Sequence, residues 1–121
     1  MPEKQTLVMK FGGTSVGSAD ALMKATQIVK DTHAKYPRMV VITSAMSGVT
    51  NLLLDSAALA SQGKVDSLPS TESTLREKHF AIANTLIKNE KLCEATRQKI
   101  NALILSLVDL CKAIAVLGEA S

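Results

Sequence analysis

The sequence predicts an α/β fold with parallel strands, and three features in chain order point to it: an apolar strand ending at paired glycines, an amphipathic helix, and a β-branched strand. The first strand is predicted over Thr6 to Phe11, where Leu7, Val8, Met9 and Phe11 form a short apolar run that ends at Gly12-Gly13. A helix follows from Ser18 or Asp20 to about Tyr36. Its Leu22, Met23, Ala25, Ile28 and Val29 recur at helical spacing, Ser18 can cap it, and Asp20 suits its N-terminal dipole. Arg38-Met39-Val40-Val41-Ile42-Thr43 reads as a second buried strand, and a strand-helix-strand order implies a right-handed parallel crossover.

Beyond the loop Ser44-Ala45-Met46-Ser47-Gly48-Val49, Thr50 is placed to cap a helix from Asn51 to about Gln62, stopped by Gly63. Gly63 to Ser70, with Pro69, reads as a linker. A third helix starts at Ser70 or Thr71 and ends near Asn89, with Leu75, His79, Ile82 and Leu86 on one face. A fourth runs from about Cys93 to Leu117 with Leu103, Ile104, Leu107, Val108, Cys111 and Ile114 as its apolar stripe, and the last two helices form a hairpin packed beside the sheet. The order is therefore β-α-β-α followed by a helical hairpin, with no internal repeat or low-complexity segment.

Composition narrows the function. The 121 residues suffice for one modest core, and 46% hydrophobic with 21% charged residues is an ordinary globular balance. Aromatic residues make up only 2%, so the stacking platforms of a single-strand or RNA reader are missing and nucleic acid is not an expected partner. The net charge of +3 is spread among acids without a dense cationic run. Cys93 and Cys111 lack the short spacing and histidine neighbours of a zinc site and read as buried, reduced thiols. His33, late on a helix, and His79, on a packing face, have no metal-ligand partner at useful spacing. Met9, Met23, Met39 and Met46 read as core filler. No secretory segment is seen at the start and no apolar run approaches membrane-spanning length, so the expected setting is cytoplasmic, without a membrane partner.

Chemistry concentrates in two loops. Glycines directly after a buried strand and shortly before a helix let backbone N–H groups approach a phosphate, and Lys10 at the strand's end offers a cation to a transferring phosphoryl group. The same glycine pair also reads as a plain turn, and spacing alone does not choose. Gly12-Gly13-Thr14-Ser15-Val16-Gly17 is neither a P-loop nor the dinucleotide G-x-G-x-x-G, and the second strand ends in Thr43-Ser44 rather than a ribose-binding acid, which disfavours an oxidoreductase. Ser44, Ser47 and Thr50 follow the second strand, on the sheet edge where the first loop opens. Their hydroxyls can orient a carboxylate, or simply end the strand, make a turn and cap a helix.

Val8-Met9-Lys10-Phe11-Gly12-Gly13-Thr14-Ser15-Val16 resembles the amino-terminal signature of aspartate kinases, within the amino acid kinase fold. Val40 to Leu53, through Ser44-Ala45-Met46-Ser47-Gly48-Val49-Thr50, is similar to that family's second strand and substrate loop. Leu117-Gly118-Glu119 resembles, less completely, its Gly-Glu segment after a helical region. The resemblance implies the amino-terminal part of a parallel-sheet kinase sandwich, residues 1–121 being part of the catalytic domain with the regulatory domains absent. It implies ATP-dependent phosphorylation of the L-aspartate side chain to 4-phospho-L-aspartate, the entry to lysine, threonine and methionine synthesis, in a homo-oligomeric full-length protein. By position, Lys10 is the catalytic cation; Lys10, Phe11, Gly12 and Gly13 line the nucleotide side; Ser44, Thr50 and Glu119 hold the substrate. ATP and Mg2+ are implied, with no metal ligand identified in the chain. The polypeptide alone is expected to be inactive. Three other readings stay open: another amino acid kinase, the kinase end of a bifunctional aspartate kinase-homoserine dehydrogenase, and a non-catalytic anion-binding or assembly fragment.

Overall fold

In the computed structural model, which describes residues 5–120 with side chains through Gly118, the chain divides into two units that meet at Ser47 and Gly48. The first unit contains β1 (Leu7–Phe11), a short 3-10 helix (Gly13–Val16), α1 (Ala19–His33) and β2 (Met39–Thr43). β1 and β2 pair in parallel, from Leu7 opposite Met39 to Phe11 opposite Thr43, as the strand-helix-strand pattern requires. Ser18 caps α1, its hydroxyl accepting a hydrogen bond from the Ala21 N–H at 3.1 Å. Ser18→Ala removes that acceptor from an exposed helix end, and a urea melt of the protein should show a loss of about 1 kcal/mol. An unchanged melt would leave the cap without energetic weight.

Two expectations for this unit need correction. α1 stops at His33 rather than Tyr36, because Tyr36 precedes Pro37 and is biased away from helical backbone. Lys35 and Tyr36 instead both donate to the Thr32 carbonyl in a closing turn. The strands form where expected, but they are not buried: Val8, Val40, Val41 and Ile42 each expose about half of their surface. A continuous apolar run signals cover on both faces, and a two-stranded sheet provides little of it. Met23 and Ile28 of α1 are likewise about half exposed, so Met23 is not core filler; Ala25 is the buried residue of that helix.

The second unit is helical, with α2 (Val49–Ser61), α3 (Leu68–Leu86) and α4 (Glu90–Ala120). α2 begins at Val49, two residues earlier than expected. Its N-cap is Gly48, at φ 84°, a left-handed conformation that glycine adopts without a Cβ clash, and Thr50 lies in the first turn rather than at the cap. The other end is as predicted: Gly63, at φ 78°, donates to the Ala60 carbonyl and Lys64 to that of Leu59, a Schellman closure. α3 starts at Leu68, before Pro69, since a proline in the first turn of a helix forgoes an N–H that needs no helical partner. It ends at Leu86 because Ile87 is extended, and Asn89 serves the next helix by accepting from the Leu92 N–H at 2.9 Å.

The core of this unit centres on Ala60, Leu68 and Cys111, with Val65, Leu107 and Ile114 against them. Ile104, Val108 and Ala115 extend the buried side of α4, whereas Leu103, predicted on that stripe, is 72% exposed; the inward stripe is narrower than the run of apolar residues. Both cysteines are buried free thiols, as expected. Arg76 Nε donates to Asn101 Oδ1 at 2.9 Å and Arg97 Nη1 to Asn84 Oδ1 at 2.6 Å, tying α3 to α4. Arg97 also donates to Glu94 and holds that carboxyl below the ordinary range. His79 Nδ1 lies 2.6 Å from the Leu75 carbonyl oxygen one turn back.

α4 overturns one further expectation. It is long and apolar enough to cross a membrane by length and composition, with mean hydropathy of 2.1 over its most apolar window. Asp109 and Lys112 break the uninterrupted run that a reading by eye looks for, yet leave the average high.

Candidate functional site

The parallel ladder brings the two chemistry-bearing loops of the first unit together. Beyond the last strand pair, the Ser44 N–H donates to the Phe11 carbonyl at 3.0 Å, carrying the register one residue past Thr43 and setting Ser44 beside Gly12. Both loops therefore leave the carboxyl edge of the sheet, where ligands of open α/β sheets bind.

On the β1 side, Lys10 is exposed and opposite Ile42, one residue short of the strand's end. Strand alternation puts it on the face of Val8, with half-buried Leu7, Met9 and Phe11 on the other. Gly12 caps the 3-10 helix in extended conformation, and its carbonyl accepts from the Ser15 N–H at 3.1 Å. A Cβ on Gly12 would meet no atom within 4 Å, so open space adjoins the backbone there. Gly13 differs, since a Cβ on it would stand 3.2 Å from the Ala45 carbonyl oxygen, 3.7 Å from the Ser47 nitrogen and 3.8 Å from Ser44 Oγ. Gly12 thus faces space a phosphate can fill, while Gly13 is small because the second loop lies against it.

Of the residues singled out from sequence, Lys10, Phe11, Gly12, Gly13 and Ser44 share this edge of the first unit. Thr50 and Glu119 belong to the second, in the first turn of α2 and the last turn of α4. The Glu119 side chain lies outside the described residues. Gly118 sits within α4 rather than in a segment after it, and a Cβ on it would stand 2.8 Å from the Ser61 carbonyl oxygen and 3.2 Å from the Gly63 nitrogen. Close packing on the end of α2 accounts for this glycine. Sequence reasoning also missed the closeness of Gly17 to Ser47, which are thirty residues apart and on different loops, with no local pattern to link them.

The open flank of Gly12 and the exposed Lys10 fit the phosphate end of ATP. For a metal the residues offer less: among the described residues no group of three or more His, Cys, Asp or Glu side chains converges.

Residues 5–118 match the model of the amino acid kinase family. The chloroplastic bifunctional aspartokinase/homoserine dehydrogenase 1 of Arabidopsis thaliana is 35% identical over 115 residues, 94% of this chain and 12% of that protein. The aspartokinase of Chlamydia trachomatis is 38% identical over 84 residues, 69% of this chain and 18% of that protein. The crystal structure of Escherichia coli aspartokinase III in complex with lysine and aspartate superposes with a TM-score of 0.72 at 31% identity, covering 91% of this chain and 22% of that one. The chain thus spans between 12% and 22% of the length of these relatives. The chain belongs to the amino acid kinase family, and within it the likeness is to the aspartokinases.

Proposed function

We propose that the protein carrying this chain is an ATP-dependent aspartate kinase that converts L-aspartate to 4-phospho-L-aspartate. The observation that carries the reading is the Ser44 N–H bond to the Phe11 carbonyl, which seats a hydroxyl-bearing loop beside the Gly12-Gly13 loop. The E. coli relative was crystallised with aspartate, which supports the choice of acceptor.

The chemistry asks little of side-chain acids and bases. An aspartate side chain has a reference pKa of about 3.9, so the attacking carboxylate is ionised at neutral pH without a general base. The difficulty is to bring two anions together, and that is served by positioning and by fixed positive charge. In this reading ATP supplies the transferable phosphoryl group. The N–H groups around Gly12 and Gly13 and the Lys10 ammonium hold phosphate oxygens, Phe11 contributes to the same nucleotide-side loop, and Ser44 orients the aspartate. Thr50 and Glu119 are assigned to the substrate on the strength of the motif resemblance, with Glu119 at its amino group. Mg2+, the usual companion of ATP, is given no residue of this chain.

The test is acyl phosphate formation by the whole protein, trapped as the hydroxamate with hydroxylamine. Product should require both ATP and L-aspartate, and L-glutamate should not substitute. Absence of aspartate-dependent product from folded protein would overturn the proposal. The plant relatives match nearly the whole chain and are fused to homoserine dehydrogenase, so fusion is kept as a second reading, decided by assaying NADPH-dependent reduction of aspartate semialdehyde.

A further inference from the structure

We infer that Ser47 is a positioning residue, acting through Gly17: the combined size of these two residues sets how closely the loop carrying Ser44 seats against the loop carrying Gly12 and Gly13. The inference rests on the proposed aspartate kinase reading of this edge. A Cβ on Gly17 would lie 3.0 Å from Ser47 Oγ and 3.4 Å from Ser47 Cβ, as well as 2.9 Å from the Gly13 carbonyl oxygen. Gly17 has φ −82°, a conformation any residue adopts, so its backbone does not demand glycine. What demands it is the close approach of Ser47 from one side and of the preceding turn from the other.

The two sides of the contact are unequally anchored. Gly17 lies between Val16, which is buried, and Ser18, which caps α1, and the turn before it is closed by the Ser15–Gly12 hydrogen bond. The loop from Ser44 to Ser47 is largely exposed and is tied to the strand ladder through the Ser44 N–H. Added bulk at position 17 is met by the Gly13 carbonyl oxygen on one side and presses on Ser47 on the other. Ser44 lies three residues earlier on that loop, so the displacement reaches the substrate hydroxyl as well as the Gly13 turn. Misplacement of about 1 Å can cost roughly 100-fold in rate, and a shift of a few tenths of an ångström costs less.

The test compares Gly17→Ala, Ser47→Ala and the double variant in the whole protein. For Gly17→Ala, KM for L-aspartate should rise roughly three- to tenfold, as expected of a few tenths of an ångström, and KM for ATP should rise with it through the Gly13 contact. Adding Ser47→Ala removes the atom at 3.0 Å and should recover the part of that rise that comes through Ser47, the 2.9 Å approach to the Gly13 carbonyl oxygen remaining. Amide hydrogen exchange across 44–47 should quicken in Gly17→Ala and slow again in the double variant, a readout that holds even if the protein phosphorylates another acceptor. If Gly17→Ala does not fold, Ser47→Val adds the bulk from the opposite side and should give the same KM rise and faster exchange. The inference is overturned if the double variant is no better than Gly17→Ala. It is equally overturned if Ser47→Ala alone raises KM as much, since the hydroxyl would then act on substrate directly.

Discussion

Lys10→Ala in the whole protein should lower kcat about 100- to 1000-fold while leaving the fold intact. The magnitude follows from what the ammonium is asked to do. A fixed charge aimed at a transferring phosphoryl group counts for more in the transition state than in the ground state, so its loss falls on kcat and on kcat/KM alike, with KM for L-aspartate nearly unchanged. The fold should tolerate the change because Lys10 is exposed, and its strand register is fixed by backbone pairing with β2 rather than by its side chain. Lys10→Arg should restore only part of the rate, because a planar guanidinium presents its charge in a different geometry from a compact ammonium. Single-turnover kinetics with a circular dichroism melt decide the matter. Normal turnover from a folded Lys10→Ala protein would remove Lys10 from the machinery.

Which parts of this were legible in the sequence depended on whether the signal was local. The β1–α1–β2 unit was legible because each piece carries its own instruction: an apolar run, a serine before a helical stripe, and a proline after it. Gly63 was legible as a helix stop for the same reason. Pro69 misled, since the same residue can open a helix or break one, and only the chain on both sides decides. Leu103 misled because hydrophobicity marks what can be buried, and the position of the neighbouring helices decides which part of a wide apolar surface is. In the candidate site, Lys10, Gly12 and Gly13 stood out as a strand-end motif. The Gly13 approach to Ala45 and the Gly17 approach to Ser47 did not, because a close contact between two loops leaves no trace in the sequence of either.

Gly118 puts the packing and motif readings of the α4 end in direct opposition. Replacing it with alanine inside a helix should favour the helix by up to about 1 kcal/mol. Against that, the new Cβ would stand 2.8 Å from the Ser61 carbonyl oxygen and 3.2 Å from the Gly63 nitrogen. Both are backbone atoms of the closed end of α2, where the Gly63 and Lys64 N–H groups are already committed to carbonyls of the last turn, so they cannot swing aside as a flexible side chain would. Overpacking of this kind costs about 1–3 kcal/mol, and the close approach to backbone puts Gly118 toward the upper end. The expected net effect of Gly118→Ala is thus a loss of roughly 1–2 kcal/mol, and Gly118→Leu should lose more. Denaturant melts of the whole protein measure this, provided KM for L-aspartate is followed in the same preparations. A packing glycine predicts lower stability with KM held, whereas a substrate-binding Gly-Glu segment predicts the reverse, with Glu119→Gln raising KM at unchanged stability. If Gly118→Ala raises KM while the melt stays put, the match of Leu117-Gly118-Glu119 to the substrate motif outweighs the contact with α2.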